Sequence, residues 1–237
     1  MKPINFLVPK FSRYFKNFKN FNNLSTFRTL TNEYLKVLKL NGRVLDYGGG
    51  EVVKYKDQIN NWKDIYEIEF ESLNIDPKKN PTHLVSVNDS SARPKDLDMV
   101  VSFNTFEHIY DLFEVFNEIN KMLKREGKFI FIVPFIIRVH GHPDDFLRGT
   151  PSYWHKLLKD NGFKGINIEA ITWGPFSSAQ SISGIPGPFK KIRKNIALLL
   201  DILYFKFKLN GKKTIQCQQD DPICSAPLGY CISSFKR

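Results

Sequence analysis

Sulfur is scarce in this chain, with three cysteines and three methionines among 237 residues. Three cysteines cannot build a disulfide scaffold, which excludes the small stapled secreted domains and suggests a reducing, cytoplasmic setting. Cys217, Cys224 and Cys231 also lack the paired spacing of a zinc site, and no carboxylate–histidine arrangement identifies a catalytic metal, so no metal is expected. No apolar run reaches the ~18–20 residues that cross a bilayer. The stretch Ile4–Pro9 is too short for a secretory signal, and no small-residue cleavage site follows it. No Gly-Lys-Ser/Thr phosphate loop is present, and no internal repeat stands out. What the chain does have is 42% hydrophobic and 25% charged residues, enough to exclude a wholly disordered chain. Its length suits one compact domain, or one domain with appendages.

Acid is the other shortage, and it is local. Residues 1–42 carry eight Lys/Arg against Glu33 alone, and residues 187–213 carry eight against Asp201 alone. Each segment is therefore +7 in a chain of net charge +11, so the remainder is −3. A near-neutral body with two basic segments suits an anionic surface. In the first segment Phe11, Phe15 and Phe18 recur at helical spacing between Lys and Arg. In the second, Ile196–Leu200 and Ile202–Phe205 are flanked by basic residues. One reading makes both segments covering helices with packed aromatics and solvated charges. The other lays them in an anionic membrane interface. Nucleic acid is the least favoured partner.

From residue 43 short apolar runs alternate with helical stretches. Strands are expected at Arg43–Tyr47, Leu73–Ile75, His83–Val87, Asp98–Phe103, Lys128–Pro134, Ile166–Ala170 and Tyr230–Phe235. Leu112, Phe116, Ile119 and Leu123 share one face of a helix over Tyr110–Arg125, with Gly127 expected as its stop. Thr150, Pro151 and Gly162 frame a second helix. This alternation implies an α/β fold with a mostly parallel sheet covered on both faces. Ligands then bind beyond the carboxyl ends of the strands. Asp46–Gly50, Asp76, Asn88-Asp89 and Asn104 all fall at such ends. Glycines let a ligand approach the backbone, a carboxylate accepts two ribose hydroxyls, and a polar pair meets an adenine edge. The pattern describes an adenosine-containing cofactor. A dinucleotide fingerprint would need a third glycine where Val53 stands, and Glu51 would repel a pyrophosphate, so a nucleotide-sugar oxidoreductase is disfavoured.

Val44-Leu45-Asp46-Tyr47-Gly48-Gly49-Gly50, Leu97-Asp98-Met99-Val100-Val101-Ser102-Phe103, Phe106-Glu107-His108-Ile109 and Met122-Leu123-Lys124-Arg125-Glu126-Gly127-Lys128 follow one another in an order and spacing that resemble the class I S-adenosylmethionine-dependent methyltransferases of the "type 11" subgroup. The resemblance covers roughly residues 40–235. It implies a Rossmann-like, seven-stranded, mostly parallel sheet with helices on both faces, and S-adenosylmethionine as cofactor. It puts Asp76 in the place of the ribose-binding acid and Asp89 in that of the adenine-edge acid, and together with the strand-end reading makes Asp46, Tyr47, Gly48, Gly50, Asn88 and Asn104 the other expected cofactor contacts. The glycine motif departs from the family's full pattern, with Glu51-Val52-Val53-Lys54-Tyr55 as a variant turn. By this reading residues 1–42 are a basic aromatic helical segment and 43–237 the methyltransferase-like domain, with an acceptor-side loop at 135–150 and a basic helical insertion at 187–213.

The run His140-Gly141-His142-Pro143-Asp144-Asp145-Phe146-Leu147-Arg148-Gly149-Thr150 is similar to an element of bacterial methyltransferases associated with surface-glycan biosynthesis. It points to a small-molecule or glycan-type acceptor methylated on oxygen in surface polysaccharide biosynthesis. His140, His142, Asp145 and His108 are the candidates for base duty, a histidine having a pKa near the working range. An Asp145–Arg148 salt bridge that merely stabilises the loop is the competing role for that carboxylate. The alternative function is a catalytically silent module docked on a membrane or glycan-assembly complex. Localisation is expected to be cytoplasmic, with a peripheral position at the inner face of the membrane if the basic segments bind lipid.

Overall fold

A computed structural model of the chain describes residues 4–60, 68–85, 93–141, 144–184, 187–209, 214–217 and 226–237. Asn88, Asp89, His142 and Cys224 lie outside the described residues. The chain forms two compact units, and both are discontinuous in sequence. The larger holds 34–133, 141–167 and 232–237; the smaller holds 1–33, 134–140 and 168–231.

In the larger unit strands alternate with helices as the pattern of apolar runs requires. The strands are β2 (Gly42–Tyr47), β3 (Ile68–Asn74), β4 (His83–Leu84), β5 (Leu97–Phe103) and β6 (Leu123–Pro134), joined by residues of β7 (Phe163–Ile171) and β9 (Gly229–Lys236). Their order is β4-β3-β2-β5-β6-β9-β7, seven strands of a nine-stranded sheet, so the sheet is two strands wider than the seven expected. The pairs β2–β3, β2–β5, β3–β4 and β5–β6 are all parallel. From β2 the chain first adds strands on one side and then, at β5, on the other, so the order switches at β2. Met99, Val100 and Val101 of β5 are fully buried, as a strand covered on both faces demands.

Helix α3 (Leu112–Met122) turns Leu112, Phe116, Ile119 and Met122 inward, with the Asp111 carboxylate accepting from the Glu114 N–H at its start. Phe116 packs against Phe129, Phe131 and the Trp154 ring of α4 (Pro151–Asp160). α4 begins at the expected Thr150 cap and stops before Gly162, which takes φ +79°. The expected stop of α3 at Gly127 is not observed. The helix ends at Met122 and Gly127 already belongs to β6, because Leu123 pairs with Leu97 in the sheet. A side chain at Gly127 would meet the Leu97 and Lys124 carbonyls.

The smaller unit contains β1 (Ile4–Leu7), helices α1 (Phe11–Asn23), α5 (Pro175–Ser183) and α6 (Lys190–Leu209), β8 (Thr214–Cys217), part of β7 and helix α2 (Thr26–Val37) as far as Glu33. β1 pairs parallel with β7 and antiparallel with β8. Residues 4–7 are therefore strand within a segment expected to be helical. α1 does pack aromatics inward, but through Tyr14 and Phe21, with Asn17, and not through the expected Phe11, Phe15 and Phe18, which are exposed.

Candidate active site at the carboxyl ends of the parallel strands

The site belongs to the larger unit and is built where β2, β3 and β5 end. β2 runs out at Tyr47 into three glycines. Gly48 takes φ +89°, and a Cβ there would lie 2.4 Å from the Thr105 side chain. A Cβ on Gly49 would lie 2.3 Å from Asp46 Oδ2, and one on Gly50 would lie 2.6 Å from the Lys79 carbonyl. The loop is thus a cradle that only glycine leaves open.

Its shape is held from β3. The Gly48 N–H donates to the Leu73 carbonyl at 2.8 Å. The Asn74 side-chain amide donates to the Gly48 and Gly49 carbonyls, each at 2.8 Å. The Asn74 Oδ1 accepts from the Asp76 N–H at 3.0 Å. Asp76 itself accepts from the Lys78 N–H at 3.0 Å through Oδ1, capping the short turn Pro77–Lys79. That bond occupies one of its two carboxylate oxygens. Glu51 is tied back by its N–H to the Lys79 carbonyl and by its carboxylate to Asn80.

Asp46 does not face solvent. Burial pushes its carboxyl up to about 7. The Tyr55 hydroxyl lies close enough to oppose that shift, without the geometry of a hydrogen bond. Tyr47 is buried against Phe106, its carbonyl accepting from the Ser102 hydroxyl at 2.8 Å. Asp46 and Tyr47 therefore shape the loop from beneath. At the end of β5 Asn104 takes φ +55°, its N–H bonded to the Ile132 carbonyl. Its buried Oδ1 has no hydrogen-bond partner among the described residues.

The turn Phe106–His108 follows. Glu107 is 1% exposed, and neither carboxylate oxygen finds a hydrogen-bond partner among the described residues. Burial pushes this carboxyl up to about 7, against the pull of its own backbone amide, His108 and Arg148. His108 Nε2 lies 3.7 Å from Glu107 Oε1. Its Nδ1 meets the Asp144 carbonyl, which can only accept, so Nδ1 carries the proton. The loop after residue 143 is anchored here as well, because the Phe146 N–H donates to the Glu107 carbonyl at 2.8 Å. Asp145 is gripped by both terminal nitrogens of Arg148, the loop-stabilising role raised for it above.

The larger unit thus assembles Asp46, Tyr47, Gly48, Gly50, Asp76, Asn104, His108 and Asp145. His140 belongs to the smaller unit, where it is exposed and its Nδ1 donates to the Arg138 carbonyl at 3.2 Å. Three residues of the site carried no expectation: Asn74, Glu107 and Thr105. Asn74 had a signal, a polar side chain closing a strand two positions before Asp76. Glu107 had none, since an acid beside a histidine in a turn reads as solvated.

An adenosyl cofactor fits these residues. The glycine cradle would be filled by any added Cβ, an acid stands at the tip of β3, and the orphaned Asn104 Oδ1 can accept from a ligand N–H or O–H.

The family model described as "Methyltransferase domain" matches residues 21–185, more than two thirds of the chain. None of the curated proteins matches. Among solved structures the chain is similar to a S-adenosylmethionine-dependent methyltransferase from Archaeoglobus fulgidus, at 16% identity and TM-score 0.51, over 94% of this chain and all of that one. It is also similar to a chain from the complex of the Haloferax volcanii Trm112 methyltransferase activator with a methyltransferase, at 16% identity and TM-score 0.50, over 94% and 93% of the two chains. At these identities the likeness is one of fold.

Proposed function

This chain belongs to the methyltransferase-domain family, and on that premise we propose that it methylates a hydroxyl of a small-molecule or glycan-type acceptor in surface polysaccharide biosynthesis. S-adenosylmethionine is its cofactor. The observation that supports the cofactor half of the reading is the β2 glycine cradle, clamped by the same Asn74 side chain that holds Asp76, while the acceptor class rests on the resemblance of the run His140–Thr150. Asp76 would receive the ribose hydroxyls, the cradle the backbone-facing side of the ligand, and Asn104 Oδ1 a ligand donor. Asn88 and Asp89 are the expected partners of the adenine edge.

Bound S-adenosylmethionine supplies a methyl group already activated on sulfonium sulfur. The protein's contribution is alignment of the acceptor and removal of its proton as the oxygen–carbon bond forms. Alignment lowers the barrier by several kcal/mol. For proton removal His108 is the leading candidate. Its Nδ1–H is fixed on the Asp144 carbonyl, so Nε2 is the nitrogen able to accept. An ionised Glu107 at 3.7 Å would stabilise the imidazolium that results. His140 and His142 are the alternative bases, and Asp145 orders the loop through Arg148. A cytoplasmic enzyme working on a lipid-linked glycan would sit peripherally at the inner face of the membrane.

Calorimetry with S-adenosylhomocysteine, followed by glycan mass comparison between a deletion strain and its parent, tests this. Binding together with a glycan mass difference of one methyl group is the expected result. Absent binding would favour a catalytically silent docking module. Binding without any glycan difference would overturn the acceptor class. His108→Gln should lower turnover by ~10²–10⁴-fold with cofactor affinity retained; unchanged turnover passes base duty to His140 or His142.

A further inference from the structure

Helix α6 of the smaller unit is apolar on two opposite faces. One face buries Leu198, Ile202 and Phe205. The other carries Ile192, Ile196, Leu200, Leu203 and Phe207 at successive helical turns, each between 41% and 84% exposed. A helix apolar on every side is normally buried all round. Here the outer stripe runs the length of the helix in the open.

Next to it α1 packs on α6 through Tyr14, whose hydroxyl donates to Asn195 Oδ1 at 2.7 Å, and through Asn22, which accepts from the Asn195 amide at 2.9 Å. α1 exposes its own stripe of Phe11, Phe15 and Phe18. Between α5 and α6 lies a cavity of about 320 Å³ lined by Phe176, Ala179, Gln180, Ile196, Ala197 and Leu200. Two of those, Ile196 and Leu200, belong to the outer stripe of α6, so the groove opens onto it.

Charge decides what can cover this surface. The two acids of the basic segments are both turned inward. Glu33 accepts from Arg13 and Asn17. Asp201 is fully buried and accepts from the Phe176 and Ser177 N–H groups at 2.9 Å each, capping α5. Lys194 is likewise absorbed, donating to the Phe21 and Leu24 carbonyls at the end of α1. What remains exposed on α1 and α6 is Lys16, Lys19, Lys190, Lys191, Lys206 and Lys208 beside the aromatic and aliphatic stripes, with no exposed acid on either helix. A second copy of the chain would set these cations against their own kind. An anionic bilayer neutralises them and buries the stripes in its interface.

We propose that the outer faces of α1 and α6 form a docking surface for a membrane containing anionic lipid, with the α5–α6 groove receiving apolar acyl chain. No described helix is long and apolar enough to cross a membrane, so the contact is peripheral. The surface is argued from the smaller unit alone and stands apart from the acceptor assignment.

Flotation of the full chain with vesicles tests it. The chain should float with phosphatidylglycerol–phosphatidylcholine vesicles at low salt, at least tenfold more than with phosphatidylcholine alone, and should be released at 1 M salt. The double variant Leu200→Ser, Phe207→Ser should lose at least tenfold in lipid partition, and Lys190→Gln, Lys191→Gln should lose the preference for anionic vesicles. Both should keep S-adenosylhomocysteine binding, which also shows that they fold. No flotation, equal flotation with neutral vesicles, or flotation untouched by the stripe variant would each overturn the surface. A lysate partner of acidic protein type without vesicle binding would overturn it as well. A chain that floats but binds no S-adenosylhomocysteine would refute the cofactor reading and leave the surface intact.

Discussion

The Asn74 side chain accepts from the Asp76 N–H at 3.0 Å while its amide holds the carbonyls of Gly48 and Gly49. One residue thereby sets the distance between the glycine cradle and the acid at the tip of the neighbouring strand. Asn74→Ala removes three hydrogen bonds, each of about 0.5–1.5 kcal/mol. Affinity for S-adenosylhomocysteine should fall by roughly one to two decades. Asn74→Asp keeps the acceptor toward Asp76 and loses both donors, so it should fall at least as far. Titration calorimetry reads both, and wild-type affinity in either variant would remove Asn74 from the site.

Asp76→Ala should weaken cofactor binding by roughly one to two decades, as expected for the loss of hydrogen bonds to a charged acceptor. The same change releases the Lys78 N–H. Asp76→Asn keeps an acceptor for Lys78, so a deficit shared by both variants would come from the ligand side. Affinity at the wild-type level in Asp76→Ala contradicts the ribose role.

Gly49→Ala sets a methyl group 2.3 Å from Asp46 Oδ2, a side chain that is buried and has no room to retreat. Overpacking of this kind costs about 1–3 kcal/mol. A lowered Tm together with weakened S-adenosylhomocysteine binding is the expected pair. Normal values of both would mean that the cradle is looser than its geometry implies.

Buried carboxyls whose pKa burial raises, Asp46, Glu107 and (to about 6) Asp201, give the fold a pH dependence of definite sign. Asp46 and Glu107 are both raised to about 7 by burial. A carboxyl whose pKa is higher in the folded chain than in the unfolded one favours the fold when protonated, and that contribution is lost as pH rises from the unfolded pKa toward the folded one. Stability should therefore decline between about pH 4.5 and 7, at up to about 1.4 kcal/mol per pH unit per group. Glu107→Gln should flatten one share of that decline. Urea unfolding at pH 5, 6 and 7 measures it, and an identical slope in the variant would show that Glu107 ionises freely.

Much of the scaffold could be read from the residues in order. Leu112, Phe116 and Ile119 mark the inward face of α3, Thr150-Pro151 begins α4, the runs of β2, β5 and β9 lie within one residue of where they were expected, and β7 begins three residues earlier than expected. β3 was seen only at its last residues, because Glu69 and Glu71 interrupt the apolar run that reveals a buried strand. β1 was missed because four residues next to a basic helix carry no period of their own, and pairing with β7 and β8 makes them a strand. The placement of Gly48, Gly50, Asp76 and Asn104 at strand ends was legible, because backbone freedom and a polar residue closing an apolar run follow from residue type. Asn74 and Glu107 were not, because the first matters through two carbonyls 25 and 26 residues away and the second through its burial.

By itself the amino-acid sequence determined the strand–helix alternation, the glycines after the first parallel strand, the polar strand ends and the two basic segments. Each of these is written in local residue type or in a period of two or 3.6. The tertiary structure decided which groups meet and which way faces turn. It joined Asn74 to Gly48 and Gly49, buried Glu107, and turned Glu33 and Asp201 inward while Phe15 and Phe207 stayed outside. Those outcomes depend on contacts between residues far apart in the chain, and no local pattern encodes them.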